Sequence, residues 1–230
     1  MNHIKYVFFD LDHTLWDFER SSEETLSELF SNYQGRIGRG ISFEQFLACY
    51  QQNNELLWRR YERSEIKSAE LRVLRWANTF GELGVEMGTW TEQMGKEYLH
   101  ICPRKPYLVE GAREVLDYLS NDYEVHMITN GWTDTQHVKL NHSGISDCFG
   151  KVITSDWADA KKPDRKIFDF ALAETGAERE KCLYVGDNYD SDVEGGMKAG
   201  WDVVFYNPEK LENPINAPQI VALKELHDML

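Results

Sequence analysis

The sequence predicts an α/β protein built on a parallel sheet with one all-helical insertion, and three observations carry that expectation. From Pro106 onward, short apolar runs alternate with amphipathic stretches, the pattern of parallel strands joined by helices. Between residues 18 and 103 the apolar positions recur at steps of three and four, and no strand-like run interrupts them. Each apolar run ends in a polar residue of a different kind, as happens where the carboxyl ends of parallel strands meet at one edge.

The first strand is Tyr6-Val7-Phe8-Phe9, apolar throughout and therefore suited to a sheet covered on both faces. Asp10 and Asp12 follow it two residues apart, so in extended backbone their side chains leave on the same face. Two carboxylates that close repel unless a cation such as Mg²⁺ neutralises them.

Ser21-Ser22-Glu23-Glu24 reads as a capping box that opens a first helix through Leu26, Leu29, Phe30 and Tyr33. Three more helices follow, through Phe43 to Tyr61, Leu71 to Phe80 and Met94 to Ile101, with glycines near 35 to 40, 81 to 88 and 95 expected to interrupt the run. The stiff segment Pro103-Arg104-Lys105-Pro106 closes a small four-helix bundle. The expected domains are residues 1–17 with 104–230 for the sheet, forming a three-layer Rossmann-like core, and residues 18–103 for the insertion.

Within the core the expected elements are a helix through Val115, Leu116 and Leu119, a strand over Glu124 to Thr129, and a helix carrying Val138 and Leu140. The strand Val152 to Thr154 comes next, then a helix through Ile167, Phe168 and Leu172 and a strand over Cys182 to Val185. A helix ending at Gly200, the strand Val203 to Tyr206 and a short helix over Leu223 to Leu230 complete the chain.

Lys+Arg 25 against Asp+Glu 39 gives a formal net charge of −14, which excludes nucleic acid and anionic membrane surfaces as partners. The same field repels an anionic substrate, so a phosphate ester could bind only where a metal and a lysine reverse the charge locally. Cys49, Cys102, Cys148 and Cys182 are scattered without zinc-like or disulfide-like spacing, which predicts reduced thiols. With no leader-like or membrane-spanning run, a cytoplasmic location is expected.

The strand ends assemble the chemistry: Asp10 and Asp12, then Thr129-Asn130-Gly131, then Lys161-Lys162-Pro163, then Gly186-Asp187 with Asp190 and Asp192. Carboxylates for a hard cation, a hydroxyl and amides for an anion, and a lysine suit phosphoryl transfer, where positioning and neutralisation do most of the work. Taken singly, each cluster reads as a turn, a helix cap or a solvated charge, and their joint placement reverses that.

Asp10-Leu11-Asp12-His13-Thr14, Thr129, Lys162-Pro163 and Gly186-Asp187 with Asp192 resemble, in order, the four motifs of the haloacid dehalogenase superfamily. An insertion between the first and second motifs is similar to the branch with a helical-bundle cap. The resemblance implies that Asp10 is a nucleophile forming an aspartyl-phosphate and that Asp12 is the general acid and base, its backbone carbonyl binding the metal. It implies that Thr129, Asn130 and Gly131 hold the phosphoryl oxygens, and that Lys162 offsets charge on nucleophile and phosphate. Asp10 and Asp187 would ligate Mg²⁺, with Asp192 in or near the outer coordination sphere. It also implies that the cap opens and closes about residues 15 to 20 and 103 to 108.

An acid two residues after the nucleophile favours phosphate ester hydrolysis over carbon–halogen cleavage, which needs no proton on its leaving halide. In layout the chain is similar to the YjjG-like pyrimidine 5′-nucleotidases, which implies a nucleoside 5′-monophosphate as the small-molecule partner. Trp16, Trp132 and Trp58-Arg59-Arg60-Tyr61 could supply an aromatic pocket for the base, Trp132 being the better candidate because it follows a strand end. The alternatives are a phosphatase or mutase of sugar phosphates or phosphoglycolate, and a metabolite-binding regulator with an idle site.

Overall fold

Strand β1 (Tyr6–Phe9) has Val7, Phe8 and Phe9 each at 0% exposure, so both its faces are covered, as its apolar sequence requires. The computed structural model describes Met1 and residues 3–230, and the chain divides into two compact units, Met1–Phe18 with Pro106–Leu230, and Glu19–Lys105.

In the first unit β1 lies inside a sheet of six parallel strands with β2 (Glu124–Thr129), β3 (Val152–Thr154), β4 (Cys182–Gly186), β5 (Asp202–Tyr206) and β6 (Gln219–Ile220). The order β3-β2-β1-β4-β5-β6 flanks β1 with β2 and β4, so the ends of all three open onto the same rim. Phe8, Ile128, Tyr184 and Phe205 point to one face, where they pack with Ile167, Phe168 and Trp201 in one core. The opposite face is closed by residues such as Phe9, Val185 and Val204, and the α/β sandwich with three layers is the architecture the alternation predicts.

The second unit holds four helices, α1 (Phe18–Ile37), α2 (Phe43–Glu62), α3 (Ser68–Glu82) and α4 (Thr89–Ile101). The capping box expected at Ser21-Ser22 is not there. Helix α1 starts at Phe18, and both serines are buried within it, with Ser22 Oγ 2.9 Å from the Tyr98 hydroxyl. The capping box of this unit sits instead at Ser42 with Gln45, opening α2. Gly95 does not interrupt α4 either: an added Cβ would lie 2.9 Å from Trp76 Nε1, so the glycine lets the indole lie against the helix. No helix among the described residues is long and apolar enough to cross a membrane.

Around β2 the first unit continues with α5 (Ala112–Leu119) upstream and α6 (Thr133–Ser143) downstream, then α7 (Ser155–Ala158), α8 (Arg165–Thr175) and α9 (Gly195–Ala199). The short α7 and β6 escape sequence reading because four- and two-residue elements are too brief to show a period. The expected last helix is a 3₁₀ segment over Leu223–Asp228, with Leu223 and Leu226 eclipsed on its buried side.

His126 on β2 is 4% exposed, stacks on Phe8 at 4.9 Å and accepts the Lys151 N–H at Nδ1, 3.1 Å away. Burial pushes its pKa down; Glu124 opposes this and the Lys151 charge adds to it. The unfolded chain therefore takes up the proton first, and stability present above about pH 6.5 is lost as the pH falls below that value. Thermal melts from pH 7.5 to 5 should show a steeper loss of Tm in the native chain than in His126→Gln; identical slopes would remove the histidine as the cause.

Candidate active site

The rim of the sheet carries a lysine surrounded by acids. Asp10 still belongs to the ladder, its N–H donating to Val185 O at 2.9 Å, and beyond it the chain turns sharply at His13, whose φ of +65° is left-handed. That turn returns Thr14 toward β4, where its hydroxyl donates to Asp187 Oδ1 at 2.8 Å. Asp187 and Asp192 follow the end of β4, Asp192 inside a π-helical turn over Tyr189–Glu194. Asn188 caps that turn, while Asp190 is exposed.

Lys162 is 2% exposed, and its ammonium donates to Asp10 Oδ1 at 2.6 Å, Asp192 Oδ1 at 2.6 Å and the Tyr184 hydroxyl at 2.8 Å. All three ammonium protons are thereby spent. The Tyr184 hydroxyl donates to Ile128 O at 2.9 Å, which leaves its oxygen to accept from the lysine. Burial opposes the charge on Lys162, yet the Asp10 and Asp192 carboxylates push its pKa well above the usual lysine range. Burial and the charges of Asp192 and Asp187 raise Asp10 well above the carboxylate range, against the pull of Lys162. Burial and the Asp192 charge push Asp187 up to about 7, against its bond from Thr14.

Asp10, Asp187 and Asp192 each offer one carboxylate oxygen, and those oxygens lie within 4.8 Å of one another. An all-oxygen set with surplus negative charge fits a hard divalent cation such as Mg²⁺ better than zinc, whose sites favour nitrogen and sulfur. Asp192 already serves Lys162 with Oδ1 and the Asn188 N–H with Oδ2 at 3.0 Å, so it also orients its neighbours.

Asp12 stands apart from this cluster. Lys139 donates to its Oδ1 at 2.6 Å and Oδ2 at 2.8 Å, and Gln136 donates to Oδ2 at 3.0 Å. Burial works to raise Asp12, but the Lys139 charge and these hydrogen bonds outweigh it and hold the carboxyl below its ordinary value. The Lys139 ammonium also lies 4.5 Å over the Trp16 ring.

Four of the residues expected at the phosphate and the base are bonded or buried within the protein itself. The Asn130 side chain is turned into its own loop, accepting the Lys162 N–H at 2.8 Å and donating to Lys162 O at 3.0 Å, so its amide fixes the lysine's backbone. The Gly131 N–H is committed to Thr129 Oγ1 at 3.0 Å. Trp132 caps α6 and is 4% exposed, and Trp16 is 0% exposed, so neither ring offers an open face to a base. Lys162, and not Lys161, enters the acidic cluster.

Sequence reading assigned Thr14 no role beyond its place in the first motif, and it left Gln136, Lys139 and Tyr184 unmarked. Gln136 and Lys139 are three apart on a helix that starts directly after the Thr129 loop, so they share the face turned toward the strand ends. That polar spacing was the available signal. Tyr184 gave none, because a tyrosine within an apolar strand is an ordinary core residue.

A family model described as haloacid dehalogenase-like hydrolase matches residues 7–206. The pyrimidine 5′-nucleotidase PynA of Streptococcus pneumoniae is 31% identical over 98% of this chain and 93% of its own length. Pyrimidine 5′-nucleotidase YjjG of Escherichia coli is 31% identical over 97% and 95%. The crystal structure of the HAD-hydrolase YfnB of Bacillus subtilis, bound to magnesium, superposes with a TM-score of 0.88 at 25% identity, covering 99% of this chain and 98% of that one. A matching model over most of the length, a shared fold and four ordered motifs converging on one rim make the chain a member of the haloacid dehalogenase-like hydrolases.

Proposed function

We propose that the chain is a Mg²⁺-dependent phosphomonoesterase that works through an aspartyl-phosphate on Asp10, with pyrimidine nucleoside 5′-monophosphates as its substrates. One observation carries the reaction type. Asp10, Asp187 and Asp192 bring carboxylate oxygens within 4.8 Å of one another with the Lys162 ammonium 2.6 Å from Asp10, while Asp12, two residues on, is held outside that cluster by Lys139 and Gln136. A nucleophile beside a cation site and a second acid outside it are the pair that stepwise phosphoryl transfer needs.

Asp10 attacks phosphorus, forming an O–P bond as the ester P–O bond breaks, and Asp12 passes to the departing oxygen a proton that it takes from solvent as the substrate binds. Water then loses a proton to Asp12 and attacks the phosphorus, which breaks the bond to Asp10 and frees phosphate. Thr129 donates to the phosphoryl oxygens, and Lys162 keeps the nucleophile oriented and its charge balanced. Asp10, Asp187 and the Asp12 carbonyl would hold Mg²⁺, with Asp192 behind them. The cation would supply positive charge for the phosphate oxygens and for the crowded carboxylates around the nucleophile.

The nucleotide preference is supported by PynA and YjjG, relatives named for that activity that align over nearly their whole length. A phosphate-release panel of pyrimidine and purine monophosphates, sugar phosphates and phosphoglycolate tests it. The highest kcat/KM should fall on a pyrimidine nucleotide. A sugar phosphate or phosphoglycolate that surpasses every nucleotide sinks the substrate assignment and leaves the phosphatase intact.

Chelation of Mg²⁺ should silence turnover. Because Asp187 is pushed up to about 7, protons compete with the cation, and affinity should weaken as the pH falls below 7. Calorimetric titration with Mg²⁺ at pH 8 and pH 6 checks this, and equal affinities at both would contradict the metal role of that carboxylate.

A further inference from the structure

We propose that Gln136 is a positioning residue that ties the Asp12 carboxylate to the Thr129 hydroxyl and fixes the direction in which each acts. The inference rests on the phosphatase reading above, and no motif that led to that reading contains this residue.

A single amide nitrogen makes both contacts. Gln136 Nε2 donates to Asp12 Oδ2 at 3.0 Å and to Thr129 Oγ1 at 2.8 Å, from a side chain that is 0% exposed. A carboxylate only accepts, so the NH₂ end of the amide must face it, and chemistry sets the orientation. The opposite end, Gln136 Oε1, is buried with no donor among the described residues.

Thr129 shows what the arrangement achieves. Its Oγ1 accepts from Gln136 and also from the Gly131 N–H at 3.0 Å, which occupies both lone pairs. The hydroxyl can then act only as a donor. It finds no acceptor among the described residues and is 1% exposed, so its proton is kept for a ligand oxygen, here that of the phosphoryl group.

Gly131 supplies an independent observation. Its φ is not left-handed, so no turn demands glycine there. A Cβ at 131 would instead lie 1.8 Å from Gln136 Nε2, 2.4 Å from Cδ and 2.8 Å from Cγ. The glycine of Thr129-Asn130-Gly131 makes room for this side chain. Lys139, one turn further along α6, completes the hold on Asp12.

Gln136→Met keeps the length and the unbranched shape while removing both hydrogen bonds. In Mg²⁺, kcat on a nucleoside monophosphate should fall at least about tenfold with KM changed far less. The loss should be smaller on p-nitrophenyl phosphate, whose leaving group departs without a proton. Combined with Thr129→Val, the losses on p-nitrophenyl phosphate should be less than multiplicative. A residue that merely glues α6 to β2 would lower both esters alike. If Gln136→Met fails to fold, Gly131→Ala, which expels the glutamine while leaving its sequence intact, should give the same leaving-group pattern. Equal loss on both esters, multiplicative losses with Thr129→Val, or no loss at all overturns the inference. A native chain that turns over neither ester overturns the phosphatase reading beneath it, so the two failures are distinguishable.

Discussion

Asp10→Asn should lower kcat by about 10⁴-fold or more, because a neutral amide cannot open the covalent route. The fold should survive. The new amide would still accept from Lys162 through its oxygen, and Lys162 would keep Asp192 at 2.6 Å and Tyr184 at 2.8 Å as partners. Without metal, the variant should even melt at a higher temperature than the native chain, since one of three crowded carboxylates is gone. A large kcat loss with an unchanged or raised Tm separates a nucleophile from a structural residue. Mass spectrometry after mixing with substrate gives the companion result: Asp12→Asn accumulates a phosphorylated chain when the leaving group is good, and Asp10→Asn never does. Phosphate release near the native rate from Asp10→Asn would end the covalent mechanism.

The parts that sequence disclosed and the parts it hid follow one physical division. Backbone-determined features were legible: Tyr6 to Phe9 could only be a doubly covered strand, and parallel pairing then forces the ends of β1, β2 and β4 onto one rim, so Asp10, Thr129 and Asp187 had to meet. Which side chain bonds which was not legible, since it depends on angles that open only when helices dock. Asn130 illustrates this. A polar residue after a strand reads as a ligand contact, but its amide matches the N–H and C=O of Lys162 so well that the loop takes it. The burial of Trp132 was hidden for a related reason, as an aromatic next to a strand end is drawn into the core by its area. The Ser21-Ser22 error was one of competing caps, because Phe18 and Glu19 could already enter the helix and leave the serines buried inside it.

Lys162→Met should cost both the fold and the reaction, and magnesium should return only the first. The lysine neutralises Asp10, 7% exposed, and Asp192, 1% exposed, and removing one partner of buried ion pairs typically costs about 3–5 kcal/mol. Asp10, already raised by burial and its acidic neighbours, would lose the lysine that opposes that rise. A carboxyl raised above its unfolded value favours the folded state at low pH, so the stability deficit against the native chain should grow from pH 4 to pH 8. A cation bound by Asp10 and Asp187 can replace the missing charge, and at 100 times its Kd it returns about 2.7 kcal/mol. Denaturant melts of the variant should therefore recover much of the deficit as Mg²⁺ is raised. Turnover should stay depressed, because no second positive charge remains on the far side of the nucleophile. Lys162→Arg should not rescue it: the ammonium fits three acceptors at 2.6 to 2.8 Å in a 2% exposed slot, and a planar fork of five N–H groups cannot match that arrangement. Recovery of native kcat by Lys162→Met in excess Mg²⁺ would show that the lysine serves stability alone.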